Sequence, residues 1–155
     1  MIVFASHRTL SRMVDVEILV SSGTFFACPK MFQQVYTIHG VLSDRSGQSV
    51  TSSPLVYAFP PNKEKLTYEV LFQHLNDYLA SKNIVIGAKS FKFDFEFGAM
   101  NAARTVFPGL QIYGCNFHFN AALLQRVKDL KLQSSFLERE SEVRRKVRRK
   151  ARTFN

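Results

Sequence analysis

VDVEILVSSGTFF, residues 14–26, alternates apolar with acidic residues and then becomes apolar as it approaches a glycine. This pattern predicts a strand over 14–22 that enters the middle of a sheet and ends in a turn at Gly23. Two more strand-like stretches, rich in β-branched and aromatic residues, follow at 32–42 (FQQVYTIHGVL) and 53–60 (SPLVYAFP). Three successive strands predict an antiparallel meander.

The rest of the chain alternates helices with strands. A helix that Asn62 can cap is predicted to continue to about Ser81, because apolar residues recur there at helical spacing. Its apolar stripe is predicted to consist of Leu66, Val70, Leu71, Leu75, Tyr78 and Leu79. Strands at 83–94 and 110–115, each followed by a helix, continue the order as βαβα. This order predicts an α/β fold of the ribonuclease H-like type, with the first and fourth strands as parallel neighbours at the sheet centre.

Composition is that of one globular domain, with 46% hydrophobic and 21% charged residues in a chain of 155. Cys28 and Cys115 are too few for a disulfide framework, which favours a reducing, intracellular setting over secretion. The first residues lack the apolar region of a signal peptide, and no apolar run is long enough to cross a membrane. We expect neither a membrane partner nor a small-molecule substrate.

Positive charge is concentrated near the end of the sequence. The net charge is +9, and residues 138–155 contain eight Lys or Arg and three Glu. Such a cluster predicts contact with a polyanion, usually nucleic acid, through its phosphates. The candidate contact residues are Arg144, Arg145, Lys146, Arg148, Arg149 and Lys150. Two alternatives remain open: a nuclear-import patch, and a solvated helix docked through Val143, Val147 and Ala151.

Several longer motifs occur together and in one order. They are GTFFACPKMFQQVYTIHG (23–40), PLVYAFPPNKEKLTYEVLFQHL (54–75), FDFEFGAMNAARTVFPGLQIYGCNFHFNAALLQRV (93–127) and EVRRKVRR (142–149). Over about residues 18–150 the chain resembles the catalytic domain of Mutator-like element (MULE) transposases. The resemblance implies an extension or partial first strand at 1–17, a ribonuclease H-like transposase domain at 18–133, and a basic helix or tail at 134–155.

The resemblance also implies a chemistry, namely metal-dependent DNA cleavage and strand transfer at transposon ends. Family members hold two divalent ions, Mg²⁺ or Mn²⁺, with an Asp-Asp-Glu set, because such ions prefer carboxylate oxygens. The second family Asp falls on Asp94, whereas Ser22 stands where the first belongs, in an Asp-Gly-Thr-Phe turn. The family Glu lies downstream of 142–149, and the sequence reaches Asn155 without it. We therefore expect a truncated, catalytically incomplete domain with weak or absent metal binding.

Three functions are compatible with these observations. The first is a transposase enzyme acting on DNA in the nucleus. The second is a non-catalytic fragment that binds DNA or another transposase chain. The third is the product of a decaying element without selected activity. Ser22 and the missing glutamate discriminate between the first two, and salt-dependent DNA binding discriminates between the last two.

Two short motifs each have two interpretations. Asp94 and Glu96 stand two apart and can share a strand face as metal ligands, or Asp94 can cap the following helix. The resemblance favours Asp94 as a ligand and leaves Glu96 open. Cys115 and His118, a family signature, have the spacing of a metal-ligand pair. Since zinc needs four ligands, or three and a water molecule, a structural role for this pair is favoured.

Overall fold

The computed structural model describes residues 1–43, 50–138 and 141–152, and its described part is a mixed α/β structure with one open six-stranded sheet. The strands are β1 (Ile2–Phe4), β2 (Ile18–Thr24), β3 (Val35–Ser43), β4 (Val50–Phe59), β5 (Ser90–Phe93) and β6 (Gln111–Gly114). The helices are α1 (His7–Leu10), α2 (Lys65–Ser81), α3 (Phe97–Val106), α4 (Asn116–Asp129), α5 (Gln133–Leu137) and α6 (Glu142–Arg152), with a 3-10 helix at Ser11–Val14. The chain forms two compact units, Met1–Tyr113 and Gly114–Asn155.

The sheet has the strand order β1-β4-β3-β2-β5-β6. The predicted meander is present, since β3 pairs antiparallel with both β2 and β4. On its other side β2 runs parallel to β5, with Leu19 opposite Phe91. The prediction that the strands within 14–22 and 83–94 are parallel neighbours is therefore confirmed. Their carboxyl ends lie at the same edge of the sheet.

β5 is shorter than the strand predicted over 83–94. The segment before it runs against the 3-10 helix, where the Gly87 N–H donates to the Met13 carbonyl at 2.9 Å. A Cβ atom at Gly87 would lie 2.0 Å from the Val14 carbonyl oxygen. A backbone contact this close leaves room only for glycine, and the pairing with β2 begins at Ser90.

Residues 1–17, predicted as an extension or partial first strand, contain β1, α1 and the 3-10 helix. β1 pairs antiparallel with β4 at the sheet edge, with Val3 opposite Ala58. A capping box formed by Ser6 and Thr9 starts α1. Leu10 and Met13 are buried and belong to the hydrophobic core. These residues therefore contribute an edge strand and core side chains to the first unit.

α2 packs on the sheet through aromatic rings. Tyr68 lies 5.0 Å from Tyr36 of β3, and Phe72 lies 5.9 Å from Phe91 of β5, between ring centroids. The buried side chains of α2 are Tyr68, Leu71, Phe72, Leu75 and Leu79. The predicted apolar stripe was therefore partly wrong: Leu66, Val70 and Tyr78 are exposed, because the aromatic side chains of Tyr68 and Phe72 turn the helix toward the sheet.

The second unit is helical in its described residues, apart from the end of β6. Within it α6 contacts both α4 and α5, and the Ser141 hydroxyl accepts the Arg144 N–H at 3.2 Å at the start of α6. The predicted basic helix is thus present. No helix in the described parts of the chain combines the length and hydropathy needed to cross a membrane.

Candidate functional site

The sheet brings positions 22 and 94 together. Ser22 lies near the end of β2, opposite Thr37 of β3. Asp94 follows β5 directly, and its Oδ2 accepts a hydrogen bond from the Gly23 N–H at 3.1 Å, although the two residues are 71 apart in sequence. Position 22 therefore lies beside Asp94 at the sheet edge where the parallel strands β2 and β5 end.

The second oxygen of Asp94 has a different environment. Asp94 Oδ1 is buried and has no hydrogen-bond partner within the described residues. The helix-capping interpretation of Asp94 is wrong, because the N-cap residue of α3 is Glu96 and no side chain caps that helix. A buried carboxylate oxygen left unpaired is where a cation or a water molecule would bind.

Glu96 does not continue the strand pattern of Asp94. β5 ends at Phe93, and Phe95 has a positive φ of 67°, so the backbone turns between the two acids. The Glu96 carboxylate accepts hydrogen bonds from the Tyr68 hydroxyl and from Gln34 Nε2, the latter at 3.1 Å to both oxygens. It also pairs with Lys63 Nζ at 3.5 Å. Glu96 is therefore held by three partners of its own.

Gln34 connects this polar network to the turn after β2. Its side chain is fully buried, and Nε2 also donates to the Tyr68 hydroxyl. A Cβ atom at Gly23 would lie 2.0 Å from Gln34 Oε1. A side chain at position 23 would therefore require the Gln34 amide, which passes directly over Gly23, to move. The Gly23 backbone contacts Asp94 by hydrogen bond and Gln34 by packing.

Burial fixes the protonation of the two tyrosines near the acids. The pKa of Tyr68 is raised far above its ordinary value, chiefly by burial and then by its hydrogen bond to Glu96. The pKa of Tyr36, which is fully buried, is also raised, chiefly by burial. Both phenols therefore stay protonated, and Tyr68 is a permanent donor to Glu96.

Three members of this network, Lys63, Gln34 and Tyr68, were not among the predicted site residues. Each lies within a motif that carried the family resemblance, in PNK, FQQ and LTYE respectively. For Gln34 the signal was a pair of amide residues, Gln33 and Gln34, within a strand-like segment. Glu96, the common partner of the three network members, is far away in sequence, so no local pattern could reveal the contacts.

Cys115 and His118 belong to the second unit. Cys115 is the N-cap residue of α4, and His118 lies in the first turn, with Nδ1 buried and unpaired among the described residues. Across the described ranges, no group of three or more His, Cys, Asp or Glu side chains is placed to hold a metal ion. The structural role favoured for this pair stays a prediction.

The basic residues predicted to contact nucleic acid lie on α6. Arg145, Lys146 and Arg149 are exposed, and Lys146 pairs with Glu142 at 2.7 Å. Arg144 is half-buried and donates to the Leu137 carbonyl at 3.3 Å. The side chains of Arg148 and Lys150 lie outside the described part of the structure.

The side chains of Ser22, Asp94 and Glu96 do not fit a pair of divalent ions. A pair requires anionic oxygens from more than one acid to offset the repulsion between the two ions. Asp94 offers one unpaired anionic oxygen, while Ser22 beside it is neutral. The remaining acid, Glu96, is already bound by Tyr68, Gln34 and Lys63.

The family model described as "MULE transposase domain" matches residues 19–122. This span covers more than half of the chain and includes Ser22, Gln34, Asp94 and Glu96. No curated protein and no solved structure matches the chain.

Proposed function

This chain belongs to the MULE transposase domain family, and we propose that it is a DNA-binding domain of ribonuclease H-like fold that does not cut or join DNA by itself. One observation carries the proposal: the Gly23 N–H donates to Asp94 at 3.1 Å, which sets neutral Ser22 beside the acid. In the family this position carries the first of the acids that hold Mg²⁺ or Mn²⁺. The ancestral role was metal-dependent cleavage and strand transfer.

Replacing that acid by serine has a large expected effect on catalysis. A serine hydroxyl is a weak Mg²⁺ ligand and adds no charge. Loss of a residue that only orients a metal ligand typically reduces affinity or activity by about 10–100-fold. Losing a ligand itself should reduce them at least as much again. A combined deficit of about 10⁴-fold corresponds to about 5.5 kcal/mol of transition-state stabilisation.

Glu96 is not a substitute for the missing acid. Turning it toward Asp94 would break its contacts with the Tyr68 hydroxyl and Gln34 Nε2. Leaving a buried polar group without a partner costs about 1–3 kcal/mol for each group. It would also separate Glu96 from Lys63, which neutralises it. Glu96 is thus held by its structural contacts and does not replace the missing metal ligand.

DNA binding is proposed on charge and family membership. The chain carries a net charge of +9, and Arg145, Lys146 and Arg149 are exposed on α6. Each phosphate neutralised by such a side chain releases counterions and strengthens binding at low salt. A transposase-derived DNA-binding domain would act in the nucleus, and a second transposase chain is a further possible partner.

Cleavage is tested by incubating purified protein with supercoiled plasmid and Mg²⁺ or Mn²⁺, with Asp94→Ala as the matched control. We expect no nicked or linear product above the level of the control. Metal-dependent nicking that disappears in Asp94→Ala would show that the site is active and would refute the proposal.

DNA binding is tested by fluorescence anisotropy with a labelled duplex over a range of salt concentrations. We expect affinity to fall as salt rises. Neutralising Arg145, Lys146 and Arg149 to Gln should reduce the slope of log affinity against log salt by about 0.9 for each phosphate that the protein no longer neutralises. Binding that is insensitive to salt, or absent at low salt, would contradict this part of the proposal.

A further inference from the structure

The loop between β2 and β3 exposes large apolar side chains to solvent. Phe26 is fully exposed, and Phe25 and Met31 are 54% and 77% exposed. Single exposed apolar residues are ordinary on a protein surface, but several in one short loop with polar neighbours mark a binding site.

This loop is ordered by its own backbone. The Cys28 N–H donates to the Phe25 carbonyl at 3.1 Å, and the Phe32 N–H donates to the Pro29 carbonyl at 3.0 Å, which forms two successive turns. Phe32 then anchors the loop, with its ring centroid 5.5 Å from that of Phe59 on β4. Phe26 lies within the first turn, so its exposure comes from a structured loop and little ordering is needed on binding.

The position and charge of the loop indicate its ligand. It leaves β2 at the edge that carries Asp94, where ligands of open α/β sheets usually bind. Lys63 Nζ lies 4.2 Å from the centroid of the Phe25 ring and 3.5 Å from Glu96. Lys30, within the loop, is exposed. Aromatic rings flanked by cations favour a ligand with flat rings and negative charges, which is a strand of nucleic acid.

We propose that Phe25 and Phe26 form a stacking platform for bases of unpaired DNA beside Asp94, with Lys30 contacting the phosphates. In a duplex the faces of the bases are covered by their neighbours, so rings on a surface loop can stack only on bases that have left the helix. The inference rests on the proposed DNA-binding function and adds which state of the DNA this edge of the sheet recognises.

The first test compares a labelled single-stranded oligothymidylate with a duplex of equal length in anisotropy titrations. Phe26→Ala should weaken single-strand binding by roughly 5- to 150-fold, the loss of about one stacked base. It should change duplex binding by less than about twofold. Phe117→Ala is the matched control, since Phe117 is 74% exposed but lies on α4. It should alter neither affinity.

The second test detects the contact directly. The chain contains no tryptophan, so Phe26→Trp introduces a single tryptophan, which can be excited selectively over the tyrosines and whose emission a stacked base should quench. Phe117→Trp is the control and should not be quenched. Quenching of Phe26→Trp by the single strand, but not by the duplex, is the expected result.

The outcomes separate the two proposals. If Phe26→Ala binds the single strand as well as the wild type does, or if Phe26→Trp is not quenched, the stacking platform is wrong while duplex binding can still stand. If Phe26→Ala instead abolishes self-association in sedimentation and leaves DNA binding unchanged, the loop is a protein contact and the platform is again wrong. If neither form of DNA binds, the proposed function fails together with the platform.

Discussion

Ser22→Asp should place a second carboxylate beside Asp94, which makes the relation between the two positions measurable. Without metal the two anions repel each other. For charges about 4 Å apart the repulsion lies between about 1 kcal/mol in water and about 4 kcal/mol near a protein surface. Since both positions are half-buried, we expect destabilisation within that range. The melting temperature should fall by about 2–4 °C per kcal/mol for a chain of this size.

A divalent ion should reverse this effect in Ser22→Asp, because the two carboxylates can share it. Mg²⁺ at about a hundred times its dissociation constant would add about 2.7 kcal/mol of stability. The wild type, which has Asp94 alone, should gain much less. Differential scanning calorimetry with EDTA or MgCl₂ measures both effects, and titration calorimetry gives the affinity.

Two control variants isolate the charge at position 22. Ser22→Asn has almost the size of aspartate but is neutral, and should show neither the destabilisation nor the gain with Mg²⁺. Combining Ser22→Asp with Asp94→Asn should remove both effects. The reasoning is refuted if Mg²⁺ stabilises the wild type as strongly as Ser22→Asp. It is also refuted if Ser22→Asp melts at the wild-type temperature without metal.

Two further predictions concern stability. Gly87→Ala should destabilise by about 1–3 kcal/mol, because its Cβ would meet the Val14 carbonyl at 2.0 Å, whereas Gly109→Ala, with no atom within 4 Å, should change stability by less than about 1 kcal/mol. Equal urea midpoints for the two variants would contradict this. The pKa values of Tyr36 and Tyr68 are raised in the folded state, so unfolding free energy should hold below about pH 10 and then fall by about 1.4 kcal/mol per pH unit for each tyrosine. The free energy of unfolding should fall less steeply with pH in Tyr36→Phe. A free energy of unfolding that stays constant above about pH 10 would show that the tyrosines make no such contribution.

Much of the fold was predictable because it depends on the order of apolar segments. Three successive strand-like segments before the long helix α2 define the meander, and the next strand returns parallel to β2, as β5 does. The residues at which strands begin, and the helix faces that become buried, were less predictable. A strand pattern over 83–94 says nothing of Gly87 lying against Val14. The residues that turn α2 inward, Tyr68 and Phe72, are recognisable only once the sheet they contact is known.

The candidate site was likewise predictable only in part. The proximity of Ser22 and Asp94 follows from strand order, since parallel neighbours end at one edge. The partners of Glu96 do not, because Gln34 and Tyr68 reach it across 62 and 28 residues. Such contacts depend on side-chain directions in three dimensions. The domain limits at residues 18 and 133 and a nuclear location stay predictions.

The place of β2 between β3 and β5 has a consequence for biosynthesis. β3 emerges from the ribosome directly after β2, but Asp94 follows Gly23 by 71 residues. At a translation rate of about 5–20 residues per second, one edge of β2 stays unpaired for roughly 4–14 s until β5 has been synthesised. Exposed strand edges invite pairing with other chains. Until β5 arrives, the free edge of β2 is therefore available for pairing with strands of other chains.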